Sequence, residues 1–386
     1  MMNRRQFLST SVAAGVSATS FQAKAGPQDL RPAMSMGLAK AKKDLPRTTK
    51  LKLAGDALRI LQFTDIHFFC NRKKYGEKAD LKSVEDMKRM IENTEPHLLA
   101  ITGDLWSDNP GGLGQELFEY SLEKIELLGI PWLFNWGNHD QLDDYATAQS
   151  TLTEAKHSLY RGGHDGGNYR IPITSSDDRQ LMELLCLNTT TQGVQAAQEK
   201  WLAAQKPSAS PVLSFLHIPL LEYDTVWQKK IAKGIFKEPV CTYGEDGSAI
   251  SLLKKFGEVK ACFCGHDHVN DFGGRWDGIE MVYGRATGHA GYGGNKLEKG
   301  GKLITATLTQ KVCQAKPAVG LPLSQRFGVG EITRDPLGVV CVARVSRVQQ
   351  RLFETGFGME VEDEDGGQEY SRDATPEQCP AAAERH

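Results

Sequence analysis

The chain has 386 residues, of which 40% are hydrophobic, 8% aromatic and 24% charged. That is a globular composition, and it excludes a wholly disordered, collagen-like or polytopic membrane protein. Lys and Arg number 46 against 48 Asp and Glu, and the net charge of -2 argues against a general nucleic-acid binder, which needs a basic surface to displace counterions. Eight cysteines are too sparse for a disulfide scaffold.

The N-terminus reads as an address. Asn3-Arg4-Arg5-Gln6-Phe7-Leu8 is followed by a mild Ala/Ser-rich apolar stretch and then by Ala23-Lys24-Ala25, a small-x-small cleavage pattern. Paired arginines before x-Phe-Leu resemble a twin-arginine signal. The expectation is a signal peptide over 1–25, handled by the twin-arginine export machinery, and a bacterial protein that is periplasmic or extracellular. The stretch is too short and polar to span a bilayer, and no other segment reaches the length of a membrane helix. Residues 26–56 are polar and contain Pro and Lys, and read as a leader onto the core.

From there strands and helices alternate. The apolar runs 58–63, 98–102, 130–136, 181–187, 212–216, 259–264, 279–283 and 303–308 read as strands. Helical spacing occupies 81–91, 117–128, 144–158, 194–204 and 248–256. The alternation predicts an α/β core over 57–309. Residues 310–386 lack a clear period apart from a strand candidate at 339–345, and they end in an acidic run; they read as a poorly ordered C-terminal extension.

Five of the apolar strands end in Asp, Gly, Asn or His. Asp65-Ile66-His67 follows the first, Gly103-Asp104 the next, then Gly137-Asn138-His139-Asp140, His217, and Gly265-His266-Asp267-His268. Buried parallel strands carry their polar chemistry at their C-terminal ends, so five such ends predict one shared site. Nitrogen and oxygen donors without cysteine suit Zn, Mn or Fe(II), and Mg less well. A carboxylate can bridge two cations because it has two oxygens with several lone pairs. In Asp-x-His, side chains two apart on an extended segment would share a face, and His266 and His268 would do the same.

This order of motifs resembles the calcineurin-like metallophosphoesterases over residues 58–309, and more narrowly a purple-acid-phosphatase-like branch related to the yeast Dcr2 phosphatase. The finer likeness rests on Leu61-Gln62-Phe63-Thr64-Asp65-Ile66-His67-Phe68, on Leu216-His217-Ile218-Pro219-Leu220-Leu221-Glu222-Tyr223 and on Gly265-His266-Asp267-His268-Val269-Asn270-Asp271-Phe272. The resemblance implies a four-layer α/β/β/α sandwich with the site at the strand ends. It implies two divalent metal ions (Mn, Fe or Zn), with Asp65, His67 and His268 holding the first, Asn138, His217 and His266 the second, and Asp104 bridging. It further implies in-line attack by a hydroxide between the ions, with His139 as general acid toward the leaving oxygen. Asp108 and Asp140 both stand as residues that could orient His139. Purple acid phosphatases have Asp-x-Gly at the first motif and a Tyr three residues after the bridging Asp; here His67 and Ser107 occupy those positions, so no tyrosine-to-iron charge transfer is expected.

The resulting expectation is a phosphomonoesterase acting on a small-molecule or protein phosphoester. The alternatives are a phosphodiesterase on nucleotides or lipid head groups, and a non-catalytic metal-binding module. Asn138, His139 and Arg285 are the candidate substrate contacts, with an exposed, uninvolved Arg285 as the commoner case. His289 sits in the glycine-rich stretch 284–294, which reads equally as a flexible surface loop or a substrate-facing one. Trp106, Trp136, Cys262 and Cys264 read as core residues, and Cys70 and Cys241 as disulfide candidates without an assignable pairing.

Overall fold

The computed structural model describes residues 50–310, apart from 71, 164 and 190–192, together with the strand at 339–349. The expected signal peptide and most of the leader lie outside the described residues. The strands in chain order are β1 (Leu51–Leu53), β2 (Ala57–Phe63), β3 (Leu98–Thr102), β4 (Trp132–Asn135), β5 (Tyr169–Ser175), β6 (Gln180–Cys186) and β7 (Val212–Phe215). There follow β8 (Lys233–Ile235), β9 (Val259–Cys264), β10 (Asp271–Trp276), β11 (Ile279–Tyr283), β12 (Gly300–Gln310) and β13 (Val339–Gln349). The helices are α1 (Arg72–Tyr75), α2 (Lys78–Thr94), α3 (Gly114–Glu126), α4 (Tyr145–Glu154), α5 (Ala196–Ala204), α6 (Leu221–Gln228) and α7 (Ala249–Phe256).

Two mixed sheets form. The larger runs β1-β5-β6-β7-β9-β11-β10-β8 and the smaller β13-β12-β2-β3-β4. Both have a parallel centre: β2, β3 and β4 in the smaller, and β6, β7, β9 and β11 in the larger. Helices cross between the other parallel neighbours, whereas β9 reaches β11 through β10, and buried parallel strands read as unbroken apolar runs. Every residue of β3, Leu-Leu-Ala-Ile-Thr, is buried.

The sheets face each other across two buried amides. Gln62 of β2 donates Nε2–H bonds to Thr102 Oγ1 (2.9 Å) and Cys264 O (3.0 Å). Asn135 of β4 donates from Nδ2 to Leu187 O (3.1 Å) and Phe215 O (3.0 Å). A buried amide is tolerated only when bonded, so these crosslinks also fix how the sheets register. The larger sheet is covered by α5, α6 and α7, whose Leu202, Tyr223, Val226, Ile250, Leu253 and Phe256 share a core with β7, β9 and β11. Helix α2 packs near β12 of the smaller sheet. The α/β/β/α arrangement that the resemblance implies is therefore the one built.

Local chemistry explains the boundaries. Helix α2 stops at Glu95, which adopts φ 44° and ψ 58° and returns its N–H to Ile91 O, because the residue before Pro96 cannot continue a helix. Asp144 caps α4 by accepting from Thr147 N at 3.1 Å. Helix α7 buries Ala249, Ile250, Leu253 and Phe256, the spacing of one helical face.

Two domain expectations are corrected. The core does not end at 309: β13 pairs antiparallel with β12 from Gly300↔Gln349 to Gln310↔Val339, and forms the edge of the smaller sheet. Nor is the leader wholly outside the core, since β1 pairs in parallel with β5. In both cases a β-prone segment satisfies the unpaired backbone groups of another strand, and it is this long-range pairing that local composition does not announce. Trp106 and Trp136 are buried and meet edge to face at 6.1 Å, and Cys262 and Cys264 are buried free thiols, as expected of core residues.

Candidate dinuclear metal centre

All five expected motifs meet at the strand ends between the sheets. The ends of β2, β3 and β4 bring Asp65, His67, Asp104, Asn138 and His139, and the ends of β7 and β9 bring His217, His266 and His268. Two groups of donors result, Asp65–His67–His268 and Asp104–His217–His266, each with its ligand atoms within 4.8 Å of one another.

Asp104 joins them. Its Oδ2 lies 3.4 Å from His67 Nε2 of the first group and 3.2 Å from His217 Nε2 of the second. Its Oδ1 accepts the His139 N–H at 2.8 Å, which orients the carboxylate. Asn138 Oδ1 lies 3.1 Å from His217 Nε2 and so joins the second group.

The backbone here is not extended. Asp65, His67, Asp104 and His266 all have positive φ, between 50° and 81°. Asp65 and His67 therefore do not share a face of an extended strand, as expected of Asp-x-His: left-handed turns, not the strand pleat, make these side chains converge. His266 and His268 point into different groups for the same reason. Non-glycine residues in this region store strain, and such strain concentrates at functional sites. Two motif glycines are required by close approach. A Cβ on Gly103, at φ +88°, would lie 2.4 Å from His217 Nδ1, and one on Gly137 would lie 2.2 Å from Asp104 Oδ1.

The donor set fits cations. His217 Nδ1 faces the Thr102 carbonyl at 2.8 Å, which accepts only, so in the neutral ring Nδ1 carries the proton and Nε2 presents a lone pair. That lone pair faces a carboxylate oxygen and an amide oxygen, both acceptors. Converging acceptors in a buried site need a positive charge between them. His266 Nδ1 is also buried with no hydrogen-bond partner, a costly arrangement that coordination would resolve. His67 Nε2 and His268 Nε2 stand 3.0 Å apart and compete in the same way.

Titration follows from these contacts. Burial opposes a charge on His217, but the adjacent Asp104 carboxylate outweighs it and raises its pKa to about 10, so without a cation Nε2 holds a proton between these acceptors, which a bound cation would displace. Burial lowers His67 to about 3, and burial with the His217 charge lowers His266 to about 3. Both therefore present lone pairs at neutral pH, as ligands must. Burial would raise Asp65 and Asp104, but neighbouring imidazoles hold both below the usual carboxylate range.

His139 stands beside the groups, its ring 5.1 Å from that of His67, and its side chain is 42% exposed, so it can reach a bound substrate. The open choice between its two acidic neighbours is resolved by geometry. Asp108 Oδ1 lies 2.7 Å from His139 Nδ1, whereas the Asp140 carboxylate accepts backbone N–H bonds from Asp104, Leu105, Trp106 and Gly137. Asp108 thus orients the ring and Asp140 pins the two loops. Burial opposes protonation of His139, but Asp108 and Asp104 outweigh it and raise its pKa to about 9; cations bound beside it would oppose that rise.

Arg285 is a correction. It is 1% exposed, neither a surface residue nor one turned to substrate. Its Nε donates to Asp271 Oδ2 at 2.6 Å and a further nitrogen to Glu298 O at 3.1 Å, and Lys302 pairs with the same Asp271. A buried guanidinium must be paired, and this one is occupied in tying the start of β10 to the segment just before β12. His289 is anchored too: its Nε2 lies 2.5 Å from Asp86 Oδ2 and its N–H donates to Ser83 Oγ. Cys70 is a free thiol, and Cys241 is disulfide-bonded.

Several supporting residues were not legible beforehand. Ser107 Oγ lies 2.9 Å from His67 Nδ1, in the position where the purple acid phosphatases carry Tyr; the spacing after Asp104 marks the place but not the contact. Thr189 Oγ1 accepts the N–H groups of His217 and Ile218. Tyr292, 24 residues from His268 in sequence, stacks on its ring, and nothing in a glycine-rich stretch signals this.

The sequence profile of the family described as calcineurin-like phosphoesterase matches residues 58–270. Among individual relatives, an Arabidopsis thaliana protein named "Probable inactive purple acid phosphatase 28" is 28% identical over 304 residues, covering 65% of this chain and 75% of its own. "Phosphatase DCR2" of Saccharomyces cerevisiae is 25% identical over 257 residues, covering 55% and 44%. The Escherichia coli 3',5'-cyclic adenosine monophosphate phosphodiesterase CpdA is 26% identical over 243 residues, covering 58% and 76%. A solved dimetal phosphatase from Danio rerio is 13% identical, with a TM-score of 0.41 over 65% of this chain and 92% of that one.

Proposed function

The chain belongs to the calcineurin-like phosphoesterase family, whose members hydrolyse phosphoric esters, and from that premise we propose a two-cation phosphomonoesterase with His139 as general acid. The observation that carries the reading is Asp104 Oδ2, which lies within 3.4 Å of an imidazole from each donor group. A single carboxylate oxygen so placed suits two cations sharing one ligand. Asp65, His67 and His268 would hold one cation and Asn138, His217 and His266 the other, with Mn, Fe(II) or Zn suited to this nitrogen and oxygen set. When bound, such a pair supplies Lewis-acid polarisation of phosphoryl oxygens and acidifies water.

The protein's own residues supply the rest. Asp108 takes the Nδ1–H of His139 and fixes which edge of the ring faces outward. Nε2 of the protonated ring then gives its proton to the departing alkoxide or aryloxide oxygen, which would otherwise leave as a strong base. The Asp104 carboxylate accepts the His139 backbone N–H, so acid and bridging ligand are placed by one contact. The Asp140 carboxylate holds both loops to the same carboxylate-bearing turn.

His139→Asn is expected to lower turnover by about 10²–10⁴-fold while leaving metal content intact. Unchanged turnover would remove the acid role. The Arabidopsis relative carries "inactive" in its name, and here the complete donor set with an oriented His139 supports activity. The named activity of the Escherichia coli relative keeps a diesterase as the alternative. Hydrolysis of an aryl phosphate and of a bis-aryl phosphate, measured on one preparation, separates the two: faster diester cleavage would displace the monoesterase reading.

We also propose twin-arginine export, supported by Arg4-Arg5-Gln6-Phe7-Leu8 and the Ala23-Lys24-Ala25 pattern. Replacing both arginines by lysine should retain the protein in the cytoplasmic fraction. Among the described residues no helix is long and apolar enough to cross a membrane.

A further inference from the structure

Tyr292 is built onto His268 in three ways. Its ring stacks on the imidazole with centroids 3.9 Å apart and planes within 11°. Its carbonyl lies 3.3 Å from His268 Nδ1, and its hydroxyl oxygen accepts the His268 N–H at 3.3 Å. The tyrosine is itself held. Its hydroxyl donates to Glu238 at 3.0 Å, and Lys299 Nζ donates to its carbonyl at 2.6 Å.

The rest of the glycine-rich loop closes on the same donor group. Gly288 N donates to Asp65 O at 3.2 Å. A Cβ on Gly291 would lie 3.0 Å from His268 Cε1 and 3.4 Å from His67 Cδ2, so the loop passes directly over both imidazoles. His289 ties it to Ser83 and Asp86 of α2, and Arg285 ties its root to Asp271. The approaches of Gly288, Gly291 and Tyr292 fall on Asp65, His67 and His268, the first group.

A carbonyl on Nδ1 selects the tautomer that leaves Nε2 as the lone pair, and a stacked ring restricts rotation about the side chain. We infer that Tyr292 is a positioning residue that sets His268 for the first cation, and that the loop from Gly284 to Gly300 is the outer wall of that half-site alone. The inference rests on the two-cation reading above. Tyr292 acts through His268 and is not itself a ligand.

The test titrates metal-free full-length protein with Zn(II) under equilibrium dialysis and counts bound metal per chain by elemental analysis. The wild type should take up two cations. Tyr292→Ala should keep one site at wild-type affinity and weaken the other by about 10–100-fold, the range for loss of a partner that orients a ligating histidine. Tyr292→Phe retains the stacked ring but loses the hydroxyl contacts to the His268 N–H and to Glu238, and should weaken the same single site by less than Tyr292→Ala does. Gly291→Ala, which leaves Tyr292 in place but presses on His268 and His67, should weaken the same single site and carries the test if Tyr292→Ala does not fold. Two unaltered sites in Tyr292→Ala and Gly291→Ala, or both sites weakened equally, would overturn the inference while the two-cation reading stood. A wild-type chain that binds no Zn(II) would overturn that reading itself.

Discussion

The two donor groups share Asp104 but are held by different parts of the fold. In the second, His217 is fully buried directly after β7, and its Nδ1 faces the backbone carbonyl of Thr102, the last residue of β3, at 2.8 Å. In the first, His268 lies beyond the end of β9, and its Nδ1 faces a loop carbonyl at the longer distance of 3.3 Å. A strand carbonyl cannot shift without disrupting its sheet, whereas a loop can open at lower free energy. The difference teaches that a symmetric-looking pair of sites can be mechanically unequal: the second is framed by sheet and the first by a glycine-rich loop.

The largest effect should come from removing what the two groups share. Asp104→Ala deletes the only carboxylate between them, among the described residues, and should abolish binding of both cations with a loss of activity on the order of 10³-fold or more. Retention of one cation at wild-type affinity would show that the groups are independent and that Asp104 belongs to one of them. Next in size, dialysis against a chelator should release metal in two phases, with the loop-framed site emptying first. Elemental analysis over time checks this, and release in a single phase would erase the asymmetry.

The smallest effect concerns stability away from the donors. Glu222 on α6 is buried, with Oε2 lacking a hydrogen-bond partner, and burial together with the charges of Glu245 and Asp246 raises its pKa from 4.5 to about 7. Between those values the folded state holds a proton that the unfolded state has lost, so stability falls as pH rises from about 4.5 to about 7. Glu222→Gln should therefore raise the melting temperature at pH 8 and change it little below pH 4.5, with a gain of at most about 3 kcal/mol. Its metal content should match the wild type; a selective loss at either group would show that the two-frame comparison omits α6.

The legible and illegible parts of the site divide along one line. Asp65, His67, Asp104, Asn138, His139, His217, His266 and His268 could be picked out because each follows an apolar strand, a local pattern. The role of Arg285 is not legible in the sequence because its partner Asp271 on β10 and the neighbouring Lys302 on β12 belong to different sheets and meet only where the two sheets pack together. Strand β10 was missed for a related reason: Asp-Phe-Gly-Gly-Arg-Trp has weak intrinsic strand preference and is held extended by β11 and β8 on either side. The Asp-x-His spacing alone suggests an extended backbone, whereas both residues have positive φ, so the turn, not the strand, aims the two donors.

What the amino-acid order determined alone was the alternation of elements and the place of acid, amide and imidazole residues at strand ends, because these depend on residues within a few positions of one another. Tertiary structure decided which donors group together, that Asp108 rather than Asp140 orients His139, and that Tyr292 and β13 join elements far away in the chain. Such contacts are set by how sheets and loops close in space, and chain separation carries almost no information about that closure.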